Sequence, residues 1–264
     1  MPAIVVLVKS VPDTWSTKSL EEDFTLDRVN VDSVIDEVNE FAVEQALRLR
    51  ENNSDAGFRV IALSAARDGS DEALRKALAM GADEAVQLAD ESLAGSDVLG
   101  TTWALHNALN VIAAEDAISL IIAGAAASDG AMGALPGILA EYRQVPALTH
   151  LKEISLQGEK VQGVRETQRG DYEVSAALPA IASITDKADK PRFPNFKGIM
   201  AAKKAEIRKL DLAAVGVAPE QVGLAHSATA VTAANERSAR AAGEIVHQDG
   251  AQAAATIVEF VKGA

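Results

Sequence analysis

Four runs rich in Val, Ile, Leu and Ala, at residues 3–8, 58–63, 85–88 and 117–123, carry almost no polar alternation and constrain this chain more than any other feature. A strand with one wet face alternates apolar and polar residues, so short unalternating runs predict strands buried on both faces. Between them, residues 39–50, 71–80 and 97–114 space Leu, Ala and Val three and four apart, with charges on the opposite side. That is helical spacing, and strand alternating with helix predicts a mainly parallel sheet with right-handed crossovers. Ser70 or Asp71 is placed to cap the second helix, and Gly81 follows Met80 where a helix ends. The expected fold class is α/β, a Rossmann-like three-layer α/β/α arrangement.

After Pro146 the pattern shortens. Residues 151–156, 160–164, 172–177 and 180–185 are strand-like runs separated by Gly158 and by Arg169-Gly170-Asp171, which predicts a hairpin or small mixed-sheet addition. Two prolines break residues 190–194, and helical spacing returns over 196–207. Residues 211–234, rich in Ala and Val, read as an irregular connector. Residues 235–264 read as a C-terminal helical arm with Ala241, Ile245, Ile257, Val258 and Val261 as its apolar positions, interrupted near Gly250. The expected organisation is thus an α/β domain over 1–210, a connector over 211–234, and an arm that docks on something other than that domain.

Composition narrows the function. With 38 Asp and Glu against 25 Lys and Arg, the net charge of -13 gives no electrostatic footprint for nucleic acid or an anionic membrane surface. Without cysteine the chain has no disulfide, thiolate metal site or cysteine nucleophile, so a redox role needs a borrowed cofactor. Residues 1–9 begin an apolar strand at once, with no basic region ahead of it, and read as a first strand rather than a signal peptide. A soluble cytoplasmic protein is expected. His106, His150, His226 and His247 have no ligand-pair spacing, and no serine sits in a nucleophile elbow, so neither metal nor acid–base catalysis is expected.

The loop after the fourth run, GAAASDGAMGALP from Gly124 to Pro136, places small residues at the carboxyl end of a parallel strand and just before a helix. Small residues let a ligand approach the backbone, and amides at a helix start favour an anion, so a phosphate suits this loop. It fits neither dinucleotide nor Walker spacing, and reads equally as a plain crossover loop with Asp129 as a helix cap. Residues 9–14 and 64–70 end two other strands on the same edge of the sheet. Phe193 and Phe196, in a Pro-bounded segment of a chain only 4% aromatic, point to an interface.

Six segments in order resemble the beta subunit of electron transfer flavoproteins, also called the FixA family. They are VLVKSVPDT, NEFAVEQALRLRE, ALAMGADEAV, GAAASDGAMGALPGILAE, VRETQRGDYEVSAALPAIASIT and PRFPNFKGIMAAKK. The resemblance implies a heterodimer with an alpha subunit that holds most of one FAD. Electrons would pass from dehydrogenases, such as acyl-CoA dehydrogenases, toward a quinone reductase, and this chain would carry no catalytic residue. It also implies a structural AMP contacted by Leu7, by Asp36, Glu37, Val38 and Asn39, by Ala65, and by Gly124, Ala125, Ala126, Ala127, Ser128, Asp129, Gly130, Ala131, Met132 and Gly133. Glu166 would face the alpha subunit, and Phe196 would anchor partner dehydrogenases. Ala131-Met132 replaces the Asp-Thr of members that bind a second FAD, so AMP is expected. A rival reading is a stand-alone adenine-nucleotide-binding regulatory homodimer of the same fold.

Overall fold

The computed structural model describes residues 1–236, 238, 243 and 245–263. They form two compact units, Met1–Val231 and Thr232–Ala264. The first unit runs β1 (Pro2–Leu7), β2 (Ser10–Pro12), β3 (Ser33–Ile35), α1 (Glu37–Asn52), β4 (Arg59–Ala65), α2 (Glu72–Met80), β5 (Glu84–Leu88), α3 (Val98–Ala113), β6 (Ala117–Gly124) and α4 (Leu135–Arg143). It continues through β7 (Ala147–Gln157), β8 (Lys160–Thr167), β9 (Gly170–Ala177), β10 (Ala180–Ile184), α5 (Phe196–Lys204) and β11 (Arg208–Leu210).

Nine strands make one sheet in the order β11-β5-β4-β1-β6-β10-β7-β8-β9, parallel from β11 to β7 and antiparallel beyond it. Strand β1 shows why the apolar runs do not alternate. Ile4, Val6 and Val8 pack with α1 and α2 on one face, while Ala3, Val5 and Leu7 pack with α3 and α4 on the other, so successive residues enter two different cores. Gly81 closes α2 as expected, with φ +126°. Asp71, in contrast, stands at the start of that helix without a side-chain cap bond and accepts from Arg75 instead. A side-chain cap is found at α3, where Asp97 accepts from the Gly100 N–H at 2.9 Å.

The later strands extend the same sheet, because β10 enters between β6 and β7 in parallel and draws the β7–β9 meander onto its flank. Residues 10–12 and 33–35 pair as a small antiparallel sheet that lies outside the four runs. Residues 211–222, expected as an irregular connector, instead bury Leu212, Val215, Val217 and Val222 on the α3 face. A charge-poor Ala and Val stretch suits a core as well as a linker. In the second unit only Gly250–Lys262 is helical among the described residues, as α6, with Asp249 accepting from the Ala251 and Gln252 N–H groups at 3.0 Å. The expected helix over 235–249 is not seen in the described part of that stretch, where Ile245 to Asp249 are irregular, and Ala241 lies outside the described residues. No described helix is long and apolar enough to cross a membrane.

Candidate nucleotide site at the sheet switch point

The chain passes from β1 through α1 to β4 and β5 on one side, then returns to place β6 on the other side of β1. A reversal of this kind opens a crevice at the carboxyl ends of the two strands, the usual ligand position in open α/β sheets. Leu7 ends β1, Ala65 ends the adjacent β4, Gly124 ends β6, and α1 starts at Glu37 beside them. Gly124 is required by that approach. A Cβ there would lie 2.6 Å from Val38 Cγ1 and 2.7 Å from Asn39 Nδ2.

Hydrogen bonds tie the loop to both neighbours. Ser128 N–H donates to Asp36 Oδ2 at 2.8 Å, Asp36 N–H donates to the Lys9 carbonyl at 2.9 Å, and Lys9 N–H donates to Asn39 Oδ1 at 2.8 Å. Asp129 is the hub. Its side chain is 1% exposed, Lys9 Nζ and Gly130 N–H donate to Oδ1 at 2.8 and 2.7 Å, and Arg28 donates to Oδ2. Burial pushes the Asp129 carboxyl up, but Lys9 and Arg28 together hold it below the usual range. For Asp36 burial wins, and the neighbouring Asp129 charge adds to it, so its carboxyl is raised despite the Ser128 bond.

Beyond Asp129 the backbone is left-handed at Ala131, φ +47°, and at Gly133, φ +65°. Among the described residues, no hydrogen bond reaches the amides of Ala126, Ala127, Met132 or Gly133. Backbone donors without partners, small side chains and two half-exposed cations make a setting for an anion.

The resemblance groups Leu7, residues 36–39, Ala65 and residues 124–133, and the structure places them at the carboxyl ends of β1, β4 and β6 and the start of α1. Glu37 is exposed on the first turn of α1, and Met132 is 60% exposed on the loop. Asp129 is not a helix cap, since α4 begins six residues later. Arg28 was missed because it comes from an irregular excursion 101 residues away in sequence, and no local pattern marks it. Glu166 lies apart. The register Gly124–Ile184–Leu151–Arg165 puts it at the same sheet edge but four strands along from β1, where it accepts from Lys187 Nζ at 2.6 Å. Phe196 is 79% exposed at the start of α5, which packs on α2.

Asp36→Asn tests the charge assignment. Because the folded carboxyl is raised, ionising it costs stability at pH values above its folded pKa, and this cost is absent below the unfolded value near 3.8. Asn keeps an acceptor for Ser128. The variant is expected to unfold at a higher temperature than the parent near pH 7, with the gap closing as pH falls toward about 4. A variant that unfolds below the parent near pH 7, with the deficit closing toward acid, would show the opposite shift.

Residues 23–215 match the family described as electron transfer flavoprotein domain. The electron transfer flavoprotein subunit beta of Mycobacterium tuberculosis (strain ATCC 25618 / H37Rv) is 49% identical over 253 residues, covering 95% of this chain and 94% of that protein. The subunit of the same name from Megasphaera elsdenii is 35% identical, covering 86% and 85%. Subunit CarD of the caffeyl-CoA reductase-Etf complex of Acetobacterium woodii is 29% identical, covering 92% and 91%.

Proposed function

The chain belongs to the electron transfer flavoprotein family as a beta subunit, and from that premise we propose that it pairs with an alpha subunit to carry electrons from dehydrogenases such as acyl-CoA dehydrogenases toward a quinone reductase. The alpha subunit holds most of the FAD, which supplies the electron-carrying chemistry when bound. This chain supplies binding and orientation rather than acid–base groups, and it works in the cytoplasm. Its nucleotide-binding-like domain takes in residues 1–210 and the packed stretch 211–222, and the arm over 235–264 together with Glu166 contacts the alpha subunit.

The observation that carries the nucleotide part of this reading is the switch-point loop, whose amides at Ala126, Ala127, Met132 and Gly133 have no partner among the described residues and whose Asp129 is held by Lys9 and Arg28. That donor set fits the phosphate of AMP. Ala65 and Val38 offer apolar surface to the adenosine beside the end of β1 at Leu7, and Asp36 and Asn39 stand at the start of α1 for its hydroxyls. Bound AMP stabilises the native chain by mass action and is a folding ligand rather than a reactant.

Docking of the donor dehydrogenase is assigned to Phe196. In the assembled heterodimer, Phe196→Ala is expected to raise the carrier concentration that half-saturates the dehydrogenase by roughly tenfold or more, the loss of one aromatic anchor. FAD content should not change. Steady-state electron transfer measures this, and an unchanged rate with every donor tried would remove Phe196 from the docking surface.

A further inference from the structure

We propose that Arg192 and Arg75 are positioning residues that hold residues 193–200 as a preformed apolar ledge for the donor dehydrogenase, an inference that rests on the electron-carrier reading above. Phe193 is 95% and Phe196 79% exposed, and Ile199 and Met200 on the first turns of α5 keep 39% of their surface open. Apolar packing does not keep them there, because Ala202 is the one buried residue of α5. An unrestrained segment carrying two such aromatic side chains would turn them inward.

The restraint is polar and comes from both ends. Arg192 Nε and Nη2 donate to the two carboxylate oxygens of Glu44 at 2.7 and 3.1 Å, and its backbone N–H donates to Glu44 Oε2 at 3.1 Å. Nη1 and Nη2 donate to the two oxygens of Glu51 at 2.6 and 2.9 Å. Glu44 and Glu51 are seven residues apart, two turns along one face of α1, so the guanidinium fork spans them. The hydrogen bonds to Glu51 and then Glu44 keep Arg192 firmly charged. Glu44 is 5% exposed on a helix whose neighbouring Ala42, Val43, Ala46 and Leu47 are also buried. A buried carboxylate in such a place fixes geometry rather than adding stability.

At the other end, Arg75 on α2 donates to the Ala202 carbonyl at 2.8 Å in the last turn of α5, while Asp71 holds its Nε at 2.7 Å. Gly198 lets α5 sit against α2, since a Cβ there would lie 2.6 Å from the Ala79 carbonyl oxygen. Pro191 and Pro194 flank the Arg192 anchor and fix the backbone on either side of it. The ledge therefore loses its conformational freedom on folding and not on docking, which tightens binding without adding a contact.

The test uses the heterodimer and the double variant Arg192→Met with Glu44→Met, which replaces the buried pair by apolar side chains and preserves the fold. FAD content and unfolding midpoint are expected to stay close to the parent. The half-saturating carrier concentration should rise about tenfold with kcat within twofold, the signature of lost preorganisation. Adding Phe196→Ala to this background should have less effect than in the parent, because the ledge is already misplaced. Glu51→Gln, at the exposed half of the clamp, gives a second reading that needs no core change, with a rise of about threefold. Unchanged half-saturation in both variants, with Phe196→Ala still effective in the parent, would overturn the clamp while leaving the docking surface in place. Phe196→Ala without effect would overturn the docking surface, and the clamp's role with it.

Discussion

Asp129→Ala is expected to destabilise the chain by about 2–3 kcal/mol, less than the 3–5 typical when one partner of a buried ion pair is removed. The discount follows from where the remaining charges stand. Asp129 is 1% exposed, but Lys9 and Arg28 are 42% and 40% exposed, so the stranded cations recover part of their hydration. For a chain of this size the loss corresponds to roughly 5–10 °C in the unfolding midpoint. It also has a pH signature. The folded Asp129 carboxyl is lowered, so its contribution is complete above the unfolded value near 3.8 and is lost as pH falls through the folded value. Parent and variant should converge in acid, and calorimetry across pH measures both effects. Equal midpoints at neutral pH would mean that the three charges are independent.

Gly124→Val is expected to remove the nucleotide site and destabilise the fold together. Its first added atom would lie 2.6 Å from Val38 Cγ1 and 2.7 Å from Asn39 Nδ2, and neither group can yield freely. Val38 has a single rotatable side-chain bond, and Asn39 is held by accepting from the Lys9 N–H. Overpacking of this kind costs about 1–3 kcal/mol, and losing the Asn39 bond adds about 1. Gly130→Ala is the control, since no atom lies within 4 Å of its built Cβ, and it should fall within about 0.5 kcal/mol of the parent. Loss of retained nucleotide in Gly124→Val but not in Gly130→Ala would separate close approach from loop composition.

The central strands and their helices are legible because burial on both faces leaves an unalternating signature, and β1 feeds its odd and even residues to different helical layers. The end of α2 was legible where one residue does the work, at Gly81, while the start was not, since Asp71 there accepts from Arg75 rather than capping the helix. Short strands were not: β2 and β3 have three residues each, and β11 lies within a basic cluster that reads as the end of a helix. Lys203 and Lys204 do close α5, but Arg208 and Lys209 belong to β11 and pair with Glu115 and Asp68. For the site, the position of the loop after β6 follows from strand order. Its charge chemistry does not, because Asp129 meets partners 101 and 120 residues away that no local spacing announces. The same holds for Arg192, whose carboxylate partners lie 141 and 148 residues distant on a helix that reads as ordinary core.

The most direct test is the nucleotide content of the complex obtained by expressing this chain with an alpha subunit. The complex is purified, the protein denatured, and the released nucleotides quantified beside the visible flavin spectrum. One FAD and one AMP per heterodimer is the predicted result. Two FAD per heterodimer would contradict the AMP assignment at the switch-point loop, and a stable homodimer holding ATP, with no flavin and no partner, would contradict the electron-carrier reading itself.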